Sequence, residues 1–146
     1  MNKFIVHTDG GSRGNPGPAA IGVVICNEKD QVLKQYGEFI GETTNNEAEY
    51  RAVISALQKI KSQWGKENAK KSVVKVYADS ELLVKQLNGQ YKITHPTTQK
   101  YFIELWNLKI DFAEVTFTAV PREQNKQADK MVNQALDAKK GSAKLF

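Results

Sequence analysis

Three β-rich runs stand in succession before the first helix: "KFIVHTD" at 3–9, "AAIGVVICN" at 19–27 and "QVLKQYGEFIG" at 31–41. No other feature limits the fold so strongly. Only "EKD" divides the second run from the third, so that pair must turn tightly and run antiparallel, and the three together predict a meander. The pattern then changes. A helix is expected over 46–64 with Asn45 or Thr44 as its N-cap, then a strand over 72–79 and a helix over 80–89, opened by Ser80 and closed by Gly89. A helix at about 97–109, a strand at 114–120 and a last helix at about 125–139 complete the order βββαβααβα. Strands that arrive through helical crossovers pair in parallel, so the chain reads as an α/β protein with a mixed sheet covered by helices. The first strand is expected in the middle, because Phe4 and Val6 on one face and Ile5 and His7 on the other are largely apolar. A ligand site is then expected beyond the carboxyl ends of the central parallel strands.

The 146 residues fit one domain, 1–146, with the last six or so residues expected as a flexible tail. No apolar run approaches the roughly 18 residues of a membrane span, and the N-terminus lacks the apolar core of a secretory signal. The chain therefore reads as cytoplasmic, with no membrane partner. The single cysteine, Cys26 in "GVVIC", reads as a small core side chain. A net charge of +5 suits a polyanionic partner. The lysines are spread, however: Lys66, Lys70 and Lys71 in one loop and Lys139, Lys140 and Lys144 near the end read as solvated.

The helix over 46–64 contains an anomaly. Its apolar stripe runs Glu49, Val53, Leu57, Ile60, Trp64, so the first member of the buried face is a carboxylate, while Glu47 lies off the stripe. An isolated buried carboxylate costs several kcal/mol or more unless it is paired or bound to metal. Three other acids stand at element ends. Asp9 closes the first strand, Asp79 closes the fourth just before a helix, and Asp129 opens the last helix in line with Val132 and Leu136. Each of these has a local explanation, as a turn residue, an N-cap or a first-turn acid; Glu49 has none. Taken together the four read as one site, and converging carboxylates stay ionised only with cations among them. Oxygen donors without histidine or cysteine favour a hard divalent ion, and magnesium suits a site that also holds phosphate oxygens.

Other chemistries lack their residues. The loop "DGGSRGNPGPA" lets backbone approach a ligand and exposes its amides and Asn15, but no Gly-Lys-Ser/Thr follows it to make a P-loop. Thr8-Asp9-Gly10 is the wrong order for an aspartic protease, and His7 and His95 alone give little material for a zinc site or a histidine triad.

The blocks "HTDGGSRGNPGPAAIGVV", "TTNNEAEYRAVISAL", "VYADSELLVKQLNG" and "VPREQNKQADKMVNQAL" together span nearly the whole length of the chain. Through them it resembles type 1 ribonuclease H. The resemblance implies a ribonuclease H-like fold, a five-stranded mixed sheet of order 3-2-1-4-5 with helices on both faces. It implies that Asp9, Glu49, Asp79 and Asp129 are the catalytic acids and metal ligands, for two magnesium ions, with manganese as an alternative. The activity implied is endonucleolytic cleavage of the RNA strand of an RNA–DNA hybrid, leaving 5′-phosphate and 3′-hydroxyl ends by two-metal hydrolysis. Substrate contacts are expected from Asn15, Asn45, Asn46 and the backbone around Gly10, Gly11 and Glu81, reading 2′-hydroxyls, and from Thr44 toward a DNA phosphate.

The sequence also departs from many family members. Where these carry a basic, tryptophan-rich protrusion, "NGQYKITHPTTQKYFIELW" leads almost directly into the next helix. Where many have a histidine before the fourth acid, "VPREQNKQAD" has Arg122 and Glu123, and Arg122 is either its substitute or a surface charge. Glu42 stands where some members place an arginine for the DNA phosphate. These features resemble a shorter, archaeal-like subgroup. The readings left open are a monomeric hybrid nuclease, the same chemistry with double-stranded RNA as an additional substrate, and a non-catalytic hybrid-binding module. The presence of all four acids favours cleavage.

Overall fold

The structure, a computed structural model, describes residues 2–144. The expected tail falls on 141–146, whose side chains lie outside the described residues, as does the backbone of 145 and 146. The elements are β1 (Lys3–Ser12), β2 (Gly17–Cys26), β3 (Val32–Thr43), α1 (Asn45–Trp64), α2 (Lys66–Lys70), β4 (Val73–Ala78), α3 (Glu81–Leu87), α4 (Pro96–Ile110), β5 (Glu114–Ala119) and α5 (Lys126–Lys144), with a 3-10 turn at Arg122–Gln124. The sheet order is β3-β2-β1-β4-β5. β1 lies at the centre, antiparallel to β2 and parallel to β4, and β3 and β5 form the edges.

The two faces of the sheet pack differently. On one, Phe4, Val6, Val23, Val74 and Val76 meet Val53, Leu57 and Ile60 of α1, and α3 and α4 join this larger core. Tyr50 is fully buried here and donates its hydroxyl to Gln86 Oε1 at 2.8 Å. On the other face α5 lies alone, through Ala128, Met131, Val132 and Leu136. It comes so close that a Cβ on Gly22 would stand 2.1 Å from the Ala128 carbonyl oxygen. A helix backbone resting directly on strand backbone fixes its height above the sheet.

The expected elements are all present, with shifted ends. β1 continues three residues beyond Asp9, because Gly10, Gly11 and Ser12 pair with Ile21, Ala20 and Ala19 of β2. The loop read after Asp9 is therefore short, and Gly10, Gly11 and Gly17 are strand, leaving Gly14 in the turn. The N-cap of α1 is Thr44, whose side chain accepts from Glu47 N. α3 ends at Leu87 with Asn88 as C-cap, and Gly89 follows at φ 73. α2 has no counterpart in the sequence reading. It is one turn that buries only Ala69, too short to show a stripe. Between α3 and α4 the chain runs without another helix, and among the described residues no helix is long and apolar enough to cross a membrane.

Candidate active site

Sheet register places the first two acids. Thr8 pairs with Ala78 across the parallel β1–β4 ladder, so Asp9, the next residue of β1, and Asp79, the first residue past β4, stand side by side where that ladder ends. Glu49 reaches the same point from the first turns of α1, with the helix brought in by a glycine. A Cβ on Gly10 would stand 2.2 Å from the Ala48 carbonyl carbon, so only hydrogen allows β1 and α1 to approach this closely. The Gly10 amide donates to Glu49 Oε1 at 2.7 Å. Carboxylate oxygens of Asp9, Glu49 and Asp79 all lie within 4.8 Å of one another.

This grouping is electrostatically unfavourable without a cation. Asp9 is 7% and Glu49 6% exposed. Burial, reinforced by the charges of Asp79 and Asp129, pushes the Asp9 carboxyl up to about 7 despite its interaction with Glu49. Burial and the adjacent Asp9 push Glu49 well above the carboxylate range, and the Gly10 amide opposes this only in part. Two oxygens, Glu49 Oε2 and Asp79 Oδ2, are buried without a hydrogen-bond partner. Unsatisfied buried acceptors in an oxygen-only set are what a hard divalent ion would satisfy, so the residues present fit such an ion.

Asp129 comes from the other face of the sheet. It lies in the first turn of α5, half-buried, and lines the same cleft, where its carboxyl faces Asp9. The start of its helix is tied to the sheet by Asn125, which is 1% exposed and donates through Nδ2 to the Thr8 carbonyl at 2.9 Å. The sequence reading missed Asn125, and only its place just before a helix hinted at it.

The expected substrate residues divide. Gly10, Gly11, Asn45 and Arg122 line the cleft. Asn45 Oδ1 accepts from Ser12 N at 2.8 Å and from the Ser12 hydroxyl at 3.1 Å, while Asn15 Oδ1 accepts from Asn45 N at 3.0 Å. These two asparagines thus tie the β1–β2 loop to the start of α1. Thr44 is occupied as the N-cap acceptor. Asn46 turns away toward α4, donating to Thr98 Oγ1 at 3.3 Å, and Glu81 is an exposed residue at the start of α3 that does not line the cleft. Ser12, Arg13, Ser80 and Asn133 also line the cleft and were not singled out in the sequence. Glu47, off the stripe as read, is bound by the Thr43 hydroxyl.

A sheet of this order, with carboxylates meeting at the ends of its central strands, defines a class of α/β protein. The family model described as "Reverse transcriptase-like" matches residues 7–135. The chain belongs to the type 1 ribonuclease H family. It is 38% identical over 142 residues to the "Bifunctional protein Rv2228c" of Mycobacterium tuberculosis, covering 97% of this chain and 37% of that protein. The chain thus spans little more than a third of the length of this mycobacterial relative. It is 37% identical over 129 residues to "Ribonuclease HI" of Halobacterium salinarum, covering 88% of this chain and 62% of the relative. Among solved structures, LC11-RNase H1 in complex with an RNA/DNA hybrid matches with a TM-score of 0.88 and 44% identity, over 92% of this chain and 97% of that one.

Proposed function

We propose that this chain is a metal-dependent endonuclease that cuts the RNA strand of RNA–DNA hybrids, leaving 5′-phosphate and 3′-hydroxyl ends. One observation carries the reading: three carboxylates from β1, α1 and the end of β4 converge within 4.8 Å, with buried acceptors on Glu49 and Asp79 left unpartnered. The hybrid held by LC11-RNase H1 supports the choice of substrate.

Asp9, Glu49 and Asp79 would hold the cation, magnesium by preference and manganese as an alternative, with Asp129 contributing from the rim. When bound, two such ions lower the pKa of an attacking water and neutralise the leaving oxygen of an in-line displacement. The protein supplies placement. Asp9 and Asp79 are set by strand register and Glu49 by the Gly10 amide, so the donors are held on rigid elements before substrate arrives. The backbone at Gly10 and Gly11 and the side chain of Asn45 line the cleft, where they and the Asn15 side chain beside them would read 2′-hydroxyls. The Thr44 hydroxyl accepts from Glu47 N, which leaves its proton for a phosphate oxygen of the DNA strand. Glu81 would contribute main chain, and Asn46 its side chain once released from Thr98. Arg122, exposed at the cleft mouth, offers a cation to substrate or product phosphate. The protein would act as a single-domain monomer in the cytoplasm, in keeping with its one, buried cysteine.

The test is cleavage of end-labelled RNA–DNA hybrid, RNA duplex and DNA duplex with magnesium, manganese or EDTA. Hybrid should be cut with either metal and spared in EDTA, and any cutting of RNA duplex should be weaker. Tight hybrid binding without cleavage by the wild type would overturn the reading in favour of a binding module.

A further inference from the structure

The cleft holding the four acids carries few positive charges. Among the residues that line it, the cationic side chains are Arg13 and Arg122. Arg13 follows β1 in the short loop that Asn15 and Asn45 tie to α1. Its guanidinium crosses to α5, where Nη2 lies 2.7 Å from Asp137 Oδ1 and 3.4 Å from Asn133 Oδ1. Asp129, Asn133 and Asp137 form a row at i, i+4 and i+8 on one face of α5, and Asn133 Nδ2 donates to the Asp129 carbonyl at 3.1 Å. Arg13 thus rests at the outer end of a row whose inner end is the rim carboxylate. Eight residues of helix span about 12 Å, within which a long side chain on a loop has room to turn.

The contact is poorly suited to holding structure together. The side chains are 41% and 66% exposed, and a pair so exposed contributes only about 0–1 kcal/mol. The same exposure makes it exchangeable. A guanidinium binds a phosphodiester with the same forked geometry that it presents to a carboxylate.

We propose that Arg13 is a substrate-phosphate contact, held on Asp137 in the free protein and transferred to a phosphodiester of the strand that enters the cleft. The inference rests on the nuclease reading and extends it to a residue outside the metal site. Asp137 is then a competitor for the arginine, so the two members of one ion pair have opposite effects on substrate affinity. A latch holding the loop to α5 would give both members the same sign.

The test measures KM and kcat on hybrid with magnesium, and hybrid binding by anisotropy across a salt series in EDTA. The variants are Arg13→Ala, Arg13→Lys, Asp137→Asn and the double Arg13→Ala/Asp137→Asn. Arg13→Ala should raise KM about five-fold with kcat little changed, and should lower the salt slope by about one. Arg13→Lys should fall between Arg13→Ala and wild type. Asp137→Asn should lower KM about two-fold by removing the competitor, and should add nothing in the Arg13→Ala background. Weaker binding in both single variants would overturn the proposal, as would a gain from Asp137→Asn that persists without Arg13, since that is a general charge effect. Because the binding series does not depend on turnover, wild-type inactivity would refute the nuclease reading alone, and same-sign variants would refute the Arg13 assignment alone.

Discussion

The floor and the rim of the cleft are built from different materials. The floor, Asp9, Glu49 and Asp79, sits on the two central strands and the most buried helix, with Asp9 and Glu49 almost without solvent contact. The rim, Asp129, Arg13 and Arg122, sits on a loop, a 3-10 turn and the helix that packs alone on the far face, and its arginines are exposed. Groups that must hold a small ion at fixed distances need a frame that cannot relax, and the core supplies it. Groups that must meet a long, variable polyanion do better on parts whose contacts are weak enough to exchange.

The largest expected effect tests the floor. Glu49→Gln keeps the acceptor for the Gly10 amide but loses the charge. It should abolish hybrid cleavage, by about a thousand-fold or more, while thermal stability in EDTA is unchanged or raised, because a buried, repelled carboxylate has been removed. Near-normal turnover would break the assignment of Glu49 to the metal. Asp129→Asn, on the rim, should reduce kcat by about ten- to a hundred-fold and leave the stronger metal affinity measured by calorimetry closer to wild type than Asp9→Asn does. If the two asparagine variants behave alike, the division between floor and rim is wrong.

A third prediction concerns pH. The Asp9 carboxyl is raised from its ordinary value to about 7 in the folded protein. The native state therefore keeps a proton that the unfolded chain has released, and unfolding free energy falls as pH rises from about 4 to about 7. Chemical denaturation in EDTA should show this decline, and a divalent cation should reverse it at neutral pH and above by taking the place of the proton. A flat EDTA profile over that window would show that the floor is not strained by its own charge. The smallest effect is expected for Glu47→Gln, two residues before Glu49, which keeps an acceptor for the Thr43 hydroxyl and should leave cleavage within about two-fold of wild type. A loss comparable to that of Glu49→Gln would mean that the other face of α1 carries the site.

What the sequence revealed follows the same division. The central place of β1 and the inward direction of Glu49 were legible because both depend on periodicity, and the acid in an apolar stripe had no local explanation; the full strand order came only with the family resemblance. Asp79 was legible as a strand end and Asp9 as the end of the apolar part of β1, and register brings the two together. The extension of β1 through Gly10–Ser12 was not, since glycines next to a proline read as a turn until β2 is present to pair with them. Nor was the path by which Asp129 reaches Asp9, which depends on how α5 rests on Gly22 and on the Asn125 contact with Thr8. Asn15 and Asn45 looked like independent ligand contacts, whereas their hydrogen bonds to each other and to Ser12 arise only when the loop meets α1. Arg13 gave no signal at all, because its partners lie on a helix more than a hundred residues away, |i−j| being 120 for Asn133.

The pairing of Thr8 with Ala78 has one more consequence. Because neighbouring strands in any sheet stand about 4.8 Å apart, the separation of Asp9 and Asp79 belongs to the main chain, and no substitution elsewhere in the core can tune it. Discrimination between ions of different radius must then come from the helices, from the reach of Glu49 and the approach of Asp129. The sheet provides a fixed gauge, and evolution or design can adjust the site only by moving what is brought up against it.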